Sequence, residues 1–160
     1  MMHVSYQPIG TIHTPFQGIE KVPIQPAAAT GIRGTVEVST EFAAGLRDLE
    51  GFSHVILLYH FHRVTQVRLT VVPFLDDQPR GVFATRAPSR PNPIGLSIVR
   101  LLGIEGNVLH VENVDIVDST PLLDIKPYIP AFDHNEAQRT GWLETVSDRV
   151  KEKRSDDRFK

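Results

Sequence analysis

The sequence predicts a mostly-β domain, a small sandwich or barrel, and three observations support this. Short runs rich in β-branched and aromatic residues recur along the chain, each bounded by Gly, Pro or Asp clusters. Only one short stretch between them has helical spacing. No G-x-G-x-x-G follows a strand and no P-loop is present, so a Rossmann-type nucleotide fold is excluded.

The 160 residues suffice for one domain with a real core. We divide them into a β domain over residues 1–130 and a C-terminal tail over 131–160. Hydrophobic content of 41% and charged content of 22% are those of a soluble globular protein. The net charge of −2 means that any nucleic-acid contact must come from a local patch. With no cysteine there are no disulfides, thiolate nucleophiles, iron–sulfur clusters or cysteine-bound zinc, which fits a cytoplasmic protein. The first residues, MMHVSYQPIG, lack a signal-peptide pattern, and no apolar run is long enough for a membrane span.

The elements follow in order. Val4 to Ile12, interrupted by Pro8 and Gly10, predicts an edge strand. Thr14 to Gly18 is a turn, and KVPIQPAAAT from Lys21 is an extended loop set by Pro23 and Pro26. Gly31 to Val38 is a strand. Thr40 caps a short helix carrying Phe42, Leu46 and Leu49, which Gly51 ends. Phe52 to His62, continuously apolar, is a central strand buried on both faces. Val67 to Leu75 is another strand, followed by a turn from Asp76 to Gly81. Leu96 to Ile104 and Val108 to Val114 form a hairpin through Glu105-Gly106-Asn107. Ile116–Val117 and Leu122–Ile125 predict two short strands around Asp118-Ser119-Thr120-Pro121. Trp142, Leu143, Val146 and Val150 have the spacing of a C-terminal helix, and Lys151 to Lys160 is almost wholly charged.

Between the fourth and fifth strands lies FATRAPSRPNPIGLS, residues 83–97. Pro88, Pro91 and Pro93 hold Ala87, Arg90 and Asn92 in extended geometry. A loop ordered in advance loses less entropy when it grips a ligand. Arg86 and Arg90 offer permanently charged donors for a carboxylate or phosphate, and Asn92 an amide. The alternative is a rigid corner with solvated arginines.

Four constellations carry candidate chemistry. Arg63, Arg68, Arg80, Arg86, Arg90 and Arg100 concentrate positive charge in the middle third, either facing a phosphate backbone or scattered in solvent. Asp115, Asp118 and Asp124 surround a Thr-Pro turn; they can cap it, receive ribose hydroxyls or an amino group, or abstract a proton. His60-x-His62, with His54 upstream, would share one strand face and is a metal pair or three ordinary histidines; no carboxylate or cysteine sits at matching spacing, so no metal is expected. Tyr128, in Lys126-Pro127-Tyr128, can stack on a base or pack in the core.

FATRAPSRPNPIGLS, followed by VDIVDSTPLLDIKPYIP and preceded by LEGFSHVILLYHFH, IGTIHTPF and VPIQP, strongly resembles the TsaA-like family of TrmO-type tRNA methyltransferases. The resemblance runs from about Tyr6 to Pro130. It implies a β-barrel that binds S-adenosyl-L-methionine outside any Rossmann fold, at or near a homodimer interface. It also implies methylation of N6 of threonylcarbamoyl-adenosine beside the anticodon of tRNA; a non-catalytic cofactor- or RNA-binding dimer is the alternative. By motif, the cofactor contacts fall on Pro26, Ala27 and Ala28, on Arg63 and Val64, on Arg86 and Leu96, and on Glu112, Asn113, Val114 and Asp115. In this frame Arg86 pairs the methionine carboxylate and Asp115 accepts from ribose or the amino group. Backbone amides of Val64 and Leu96 frame the adenine, and Asp118, or else Tyr128, is the base. Two positions depart from the usual pattern: Ala27 stands where glycine is common, and Asp-Gly-Thr-Pro appears with Ser119 in place of glycine. Bacterial members carry an additional C-terminal domain, whereas this chain ends soon after the barrel motifs.

Overall fold

Alternation along the strands builds a closed wall. The computed structural model describes residues 1–20, 22–24 and 28–146. The strands are β1 (Gly10–His13), β2 (Arg33–Val38), β3 (His54–His60), β4 (Thr70–Val71), β5 (Arg80–Gly81), β6 (Ile94–Glu105), β7 (Val108–Glu112) and β8 (Thr120–Pro127). Six of them close into an antiparallel barrel in the order β1-β2-β7-β6-β3-β8. Every second residue points inward: Val36 and Val38 from β2, Val55, Leu57 and Tyr59 from β3, Val99 and Leu101 from β6, Leu109 and Val111 from β7. Burial of these side chains contributes about 1.5–3 kcal/mol each and is what holds the wall closed.

The barrel reading and the central place of β3, paired to β6 and β8, agree with the sequence. The Glu105–Asn107 hairpin forms as expected, with Gly106 at φ 62°. Several local expectations are corrected. Residues 1–9 lie outside any strand, and β1 starts only at Gly10. β3 is buried on its inner face only; its outer residues Ile56 and Leu58 are half-buried. The helix after Ser39 is two 3-10 turns, Thr40–Leu46 and Leu49–Gly51. Asp48 between them has φ 67°, which no continuous helix admits, and Ser39 rather than Thr40 takes the cap position. Residues 67–75 contribute only β4, paired with β5 in a separate two-stranded ribbon. That ribbon packs Val71 and Phe74 on Val82 and Ala87. Ile116 and Val117 are not a strand because their carbonyls accept the hydroxyls of Thr14 and Thr120, at 2.6 Å each. The C-terminal helix is a 3-10 turn, Gly141–Thr145; Val150 lies outside the described residues. Among the described residues, no helix is long and apolar enough to cross a membrane.

Candidate active site at the proline-loop end of the barrel

The proline loop is built around Arg90. Its Nη1 donates to the carbonyls of Val82 (3.1 Å), Thr85 (2.8 Å) and Ala87 (3.1 Å). The guanidinium also lies 5.9 Å from the Phe83 ring. Arg90 is therefore the loop's internal staple and not a ligand donor, which corrects the reading of two equivalent arginines. The three carbonyls converge on a single guanidinium nitrogen, and that of Val82 also accepts the Thr85 N–H. The ribbon supports the loop from behind: Arg68 N–H donates to the Ser89 carbonyl and Val82 N–H to that of Leu69. Trp142 closes over it, its indole N–H donating to the Ala84 carbonyl at 2.8 Å.

The loop feeds into β6, whose first residue pairs with His60 at the end of β3. β7 ends at Glu112, opposite Arg100, so residues 94–99 of β6 pair with β3 alone. Asp115, in the chain that continues from β7, is linked to that segment through Ser97. Ser97 and Tyr59, both inward-facing and buried, meet there: Tyr59 Oη lies 2.9 Å from Ser97 Oγ, and Ser97 Oγ donates to Asp115 Oδ1 at 2.6 Å. Burial pushes the Asp115 carboxyl up to about 7, against the lowering effect of the Ser97 bond and of Arg86. The exposed Arg86 acts on both Asp115 and Tyr59. Burial, then the Asp115 charge, raises the Tyr59 hydroxyl far above its ordinary value, so it stays protonated.

The structure draws other predicted residues toward the same place. Asn113, at φ 68°, accepts the Gly31 N–H on Oδ1 at 2.9 Å, and the Asn113 and Val114 amides donate to the Ile32 carbonyl. This ties the acidic run to the early loop, where Ala28 sits; Pro26 and Ala27 lie outside the described residues. Arg63 is exposed in the turn after β3, where Val64 N–H donates to the Phe61 carbonyl at 3.3 Å. The Val64 amide is thus engaged in that turn. Leu96 is 49% exposed on the barrel's outer face.

Asp118 has a structural partner. Its Oδ1 accepts the Thr14 N–H at 2.9 Å, and the Asp118 N–H donates to the Phe16 carbonyl. The Thr14 bond, with Ser119 and His13 helping, holds its carboxyl below the usual value. Ser119 has φ 63°, which explains why glycine is the easier residue in this turn.

Several predicted groupings do not form. Tyr128 follows the end of β8 that pairs with Val55, and its N–H donates to the His54 carbonyl. That is the opposite end of β3, ~20 Å from His60 at strand spacing, so within one chain Tyr128 is remote from the site. His54, in edge contact with Tyr128, is equally distant from His60. His62 leaves the strand face because β3 stops at His60; its Nδ1 lies 3.4 Å from Thr120 Oγ1. Burial, then Arg63 and His60, lowers its pKa below the ordinary histidine value. Among the described residues, no group of three or more His, Cys, Asp or Glu side chains could hold a metal ion. The Glu112 carboxylate lies on the outer face between Arg33 (3.7 Å) and Arg100 (3.4 Å). Asp124 pairs with Lys126 there and is separate from Asp115 and Asp118. Arg80 is held by Asp76 at 2.7 Å, so the sixfold arginine cluster is dispersed. Tyr59 and Ser97 are the site residues the sequence did not flag. Their inward positions on two hydrophobic strands were the available signal.

The Asp115 assignment predicts a pH effect on stability. The folded carboxyl keeps its proton between about 4 and 7, where the unfolded chain has released it, so wild-type stability falls as pH rises through that window and stays low above it. Asp115→Asn removes that loss. At pH 8 it is expected to be more stable than wild type, by up to roughly 4 kcal/mol before any loss from altered packing. Chemical denaturation at pH 5 and pH 8 checks this; an equal difference between the two proteins at both pH values would refute it.

A family sequence profile described as the tRNA-methyltransferase O N-terminal domain matches residues 11–134. A probable S-adenosyl-L-methionine-binding protein of Pyrococcus abyssi is 55% identical over 156 residues, covering 98% of this chain and 85% of that protein. A mouse tRNA (adenine(37)-N6)-methyltransferase is 36% identical over 134 residues, which are 79% of this chain but 31% of the mouse protein. The crystal structure of TrmO from Pseudomonas aeruginosa superposes with a TM-score of 0.74 at 41% identity, covering 88% of this chain and 63% of the other.

Proposed function

Because the chain belongs to the family of the tRNA-methyltransferase O N-terminal domain, we propose that it binds S-adenosyl-L-methionine at the proline-loop end of the barrel. We further propose that it methylates N6 of threonylcarbamoyl-adenosine beside the anticodon of tRNA. The observation that carries the cofactor reading is Arg86 acting on the half-buried Asp115, beside residues 94–99 of β6, which pair with β3 alone. One cation, one carboxylate and a strand edge complement an amino acid carboxylate, an ammonium or ribose diol, and an adenine edge.

In this reading Arg86 holds the methionine carboxylate and Asp115 accepts from the amino group or ribose. Asn113 and Val114 fix the early loop that carries Ala28, and Arg63 borders the site; Pro26 and Ala27 stay assigned to the cofactor by motif alone. Bound S-adenosylmethionine supplies a methyl carbon already activated by its sulfonium. The residues therefore act mainly by alignment. Asp118 stays ionised, and its Oδ2, 3.1 Å from the exposed Ser119 hydroxyl, is the oxygen we assign to the departing N6 proton. A carboxylate held this low is a weak base and adds modestly to alignment.

We also infer a homodimer. Ile94, Leu96 and Ile98 of β6 sit beside Ile56 and Leu58 of β3 on the outer face, with Leu58 opposite Leu96 and Ile56 opposite Ile98. Ile94 and Leu96 are 41% and 49% exposed. A second copy would cover this apolar strip next to the site.

Calorimetric titration with S-adenosyl-L-methionine tests the site, with light scattering on the same sample for the dimer. Micromolar binding is expected for the wild type, weakened about tenfold or more by Arg86→Ala. No wild-type binding would overturn the cofactor reading. S-adenosylhomocysteine formed on adding tRNA then separates a methyltransferase from a binding protein, the description carried by the Pyrococcus abyssi relative.

A further inference from the structure

The geometry points to Tyr59 and Ser97 as positioning residues: a buried hydroxyl chain inside the barrel that orients the Asp115 carboxylate and favours its ionised form. This deepens the cofactor reading and rests on it for the identity of Asp115's ligand. Ser97 is 1% exposed and Tyr59 5%. At these inward positions their neighbours Leu57 and Val99 are apolar, and an apolar pair would fill the space without desolvating two hydroxyls. The hydroxyls are instead linked end to end, and the chain terminates on a half-buried carboxylate.

The direction of the chain follows from the protons available. An ionised carboxylate only accepts, so the Ser97 proton points to Asp115, and Ser97 Oγ receives the Tyr59 proton. The two bonds measure 2.6 Å from Ser97 to Asp115 and 2.9 Å between Tyr59 and Ser97. Tyr59 is itself immobilised: its ring covers Gly95 and meets Phe61 edge-on at 5.5 Å between centroids. The charged and titratable groups acting on the Asp115 carboxyl from packed elements are Arg86 in the proline loop and Tyr59 on β3. Loss of the Ser97 bond removes a stabiliser of the ionised form while burial remains, so the proton is released only at higher pH.

The experiment follows the Asp115 carboxyl by carbon-detected NMR titration of the free protein in wild type, Ser97→Ala, Ser97→Thr and Tyr59→Phe, with Asp115→Asn identifying the signal. Wild type is expected to titrate near 7. The midpoint should rise by about half a pH unit or more in Ser97→Ala, rise less in Tyr59→Phe, and return in Ser97→Thr. Unmoved midpoints in Ser97→Ala and Tyr59→Phe, with only a lower melting temperature, would overturn the inference. If Ser97→Ala does not fold, Tyr59→Phe decides by the same criterion. Calorimetry with S-adenosyl-L-methionine at pH 6 and pH 8.5 is the second arm: affinity should rise with pH, and the rise should shift upward with the carboxyl midpoint. A moved midpoint in a protein that binds no S-adenosyl-L-methionine at either pH sustains the hydroxyl chain and rejects the cofactor reading. Binding whose pH dependence ignores a moved midpoint rejects the positioning role.

Discussion

Gly95→Val is expected to destabilise the barrel by about 3 kcal/mol or more, a large share of the 5–15 kcal/mol typical of a domain. A Cβ at Gly95 would fall on the Tyr59 ring and within 2.9 Å of the Phe61 ring. Neither ring can retreat, because Tyr59 is inward on β3 and bonded to Ser97, and Phe61 packs edge-on against it. Gly103→Ala is the control on the same strand: nothing lies within 4 Å of its Cβ position, so its cost should stay within about 1 kcal/mol. Urea denaturation of the two variants measures the contrast. Equal midpoints would show that the inner wall at Gly95 yields more easily than its contacts imply.

Arg90→Ala is expected to cost roughly 3 kcal/mol and to release the proline loop. Three carbonyls lose a charged donor together, and hydrogen bonds to charged groups contribute about 1.5–3 kcal/mol each, without simple additivity. Arg90→Lys keeps the charge on a shorter side chain whose nitrogen does not reach the Nη1 position, so it should recover less than half of the loss. Trypsin provides a local readout, since the Arg86–Ala87 bond lies in the loop and Arg86 is exposed. Faster cleavage there in Arg90→Ala, alongside a lower denaturation midpoint, is the expected result. Wild-type cleavage and stability would show that the prolines alone hold the loop.

The two substitutions separate two supports of one site. Gly95 keeps the barrel wall thin enough for Tyr59 to reach Ser97, which places Asp115. Arg90 holds the loop that presents Arg86. Neither residue needs to touch a ligand for its loss to disperse the pair that we assign to the cofactor.

Much of the molecule was legible in the sequence because periodicity and punctuation are local properties. Branched residues at alternate positions around Val36, Val99 and Val111 specify strands with one buried face, and Gly106 specifies the tight hairpin. The proline spacing of residues 88–93 specifies a stiff loop whatever surrounds it. The tertiary structure decided what local rules could not reach. Two arginines four residues apart look alike in sequence; one binds the loop's carbonyls and the other acts on Asp115, which depends on where those groups lie in space. Asp115 and Asp118 stand three residues apart, yet burial raises one carboxyl and the Thr14 amide lowers the other. His54 is six residues from His60 in sequence, but the length of β3 separates them, and Tyr128 lies at the His54 end. A carboxylate's protonation and an arginine's partner are set by distance in space and by exclusion of water, and both arise only when the barrel closes.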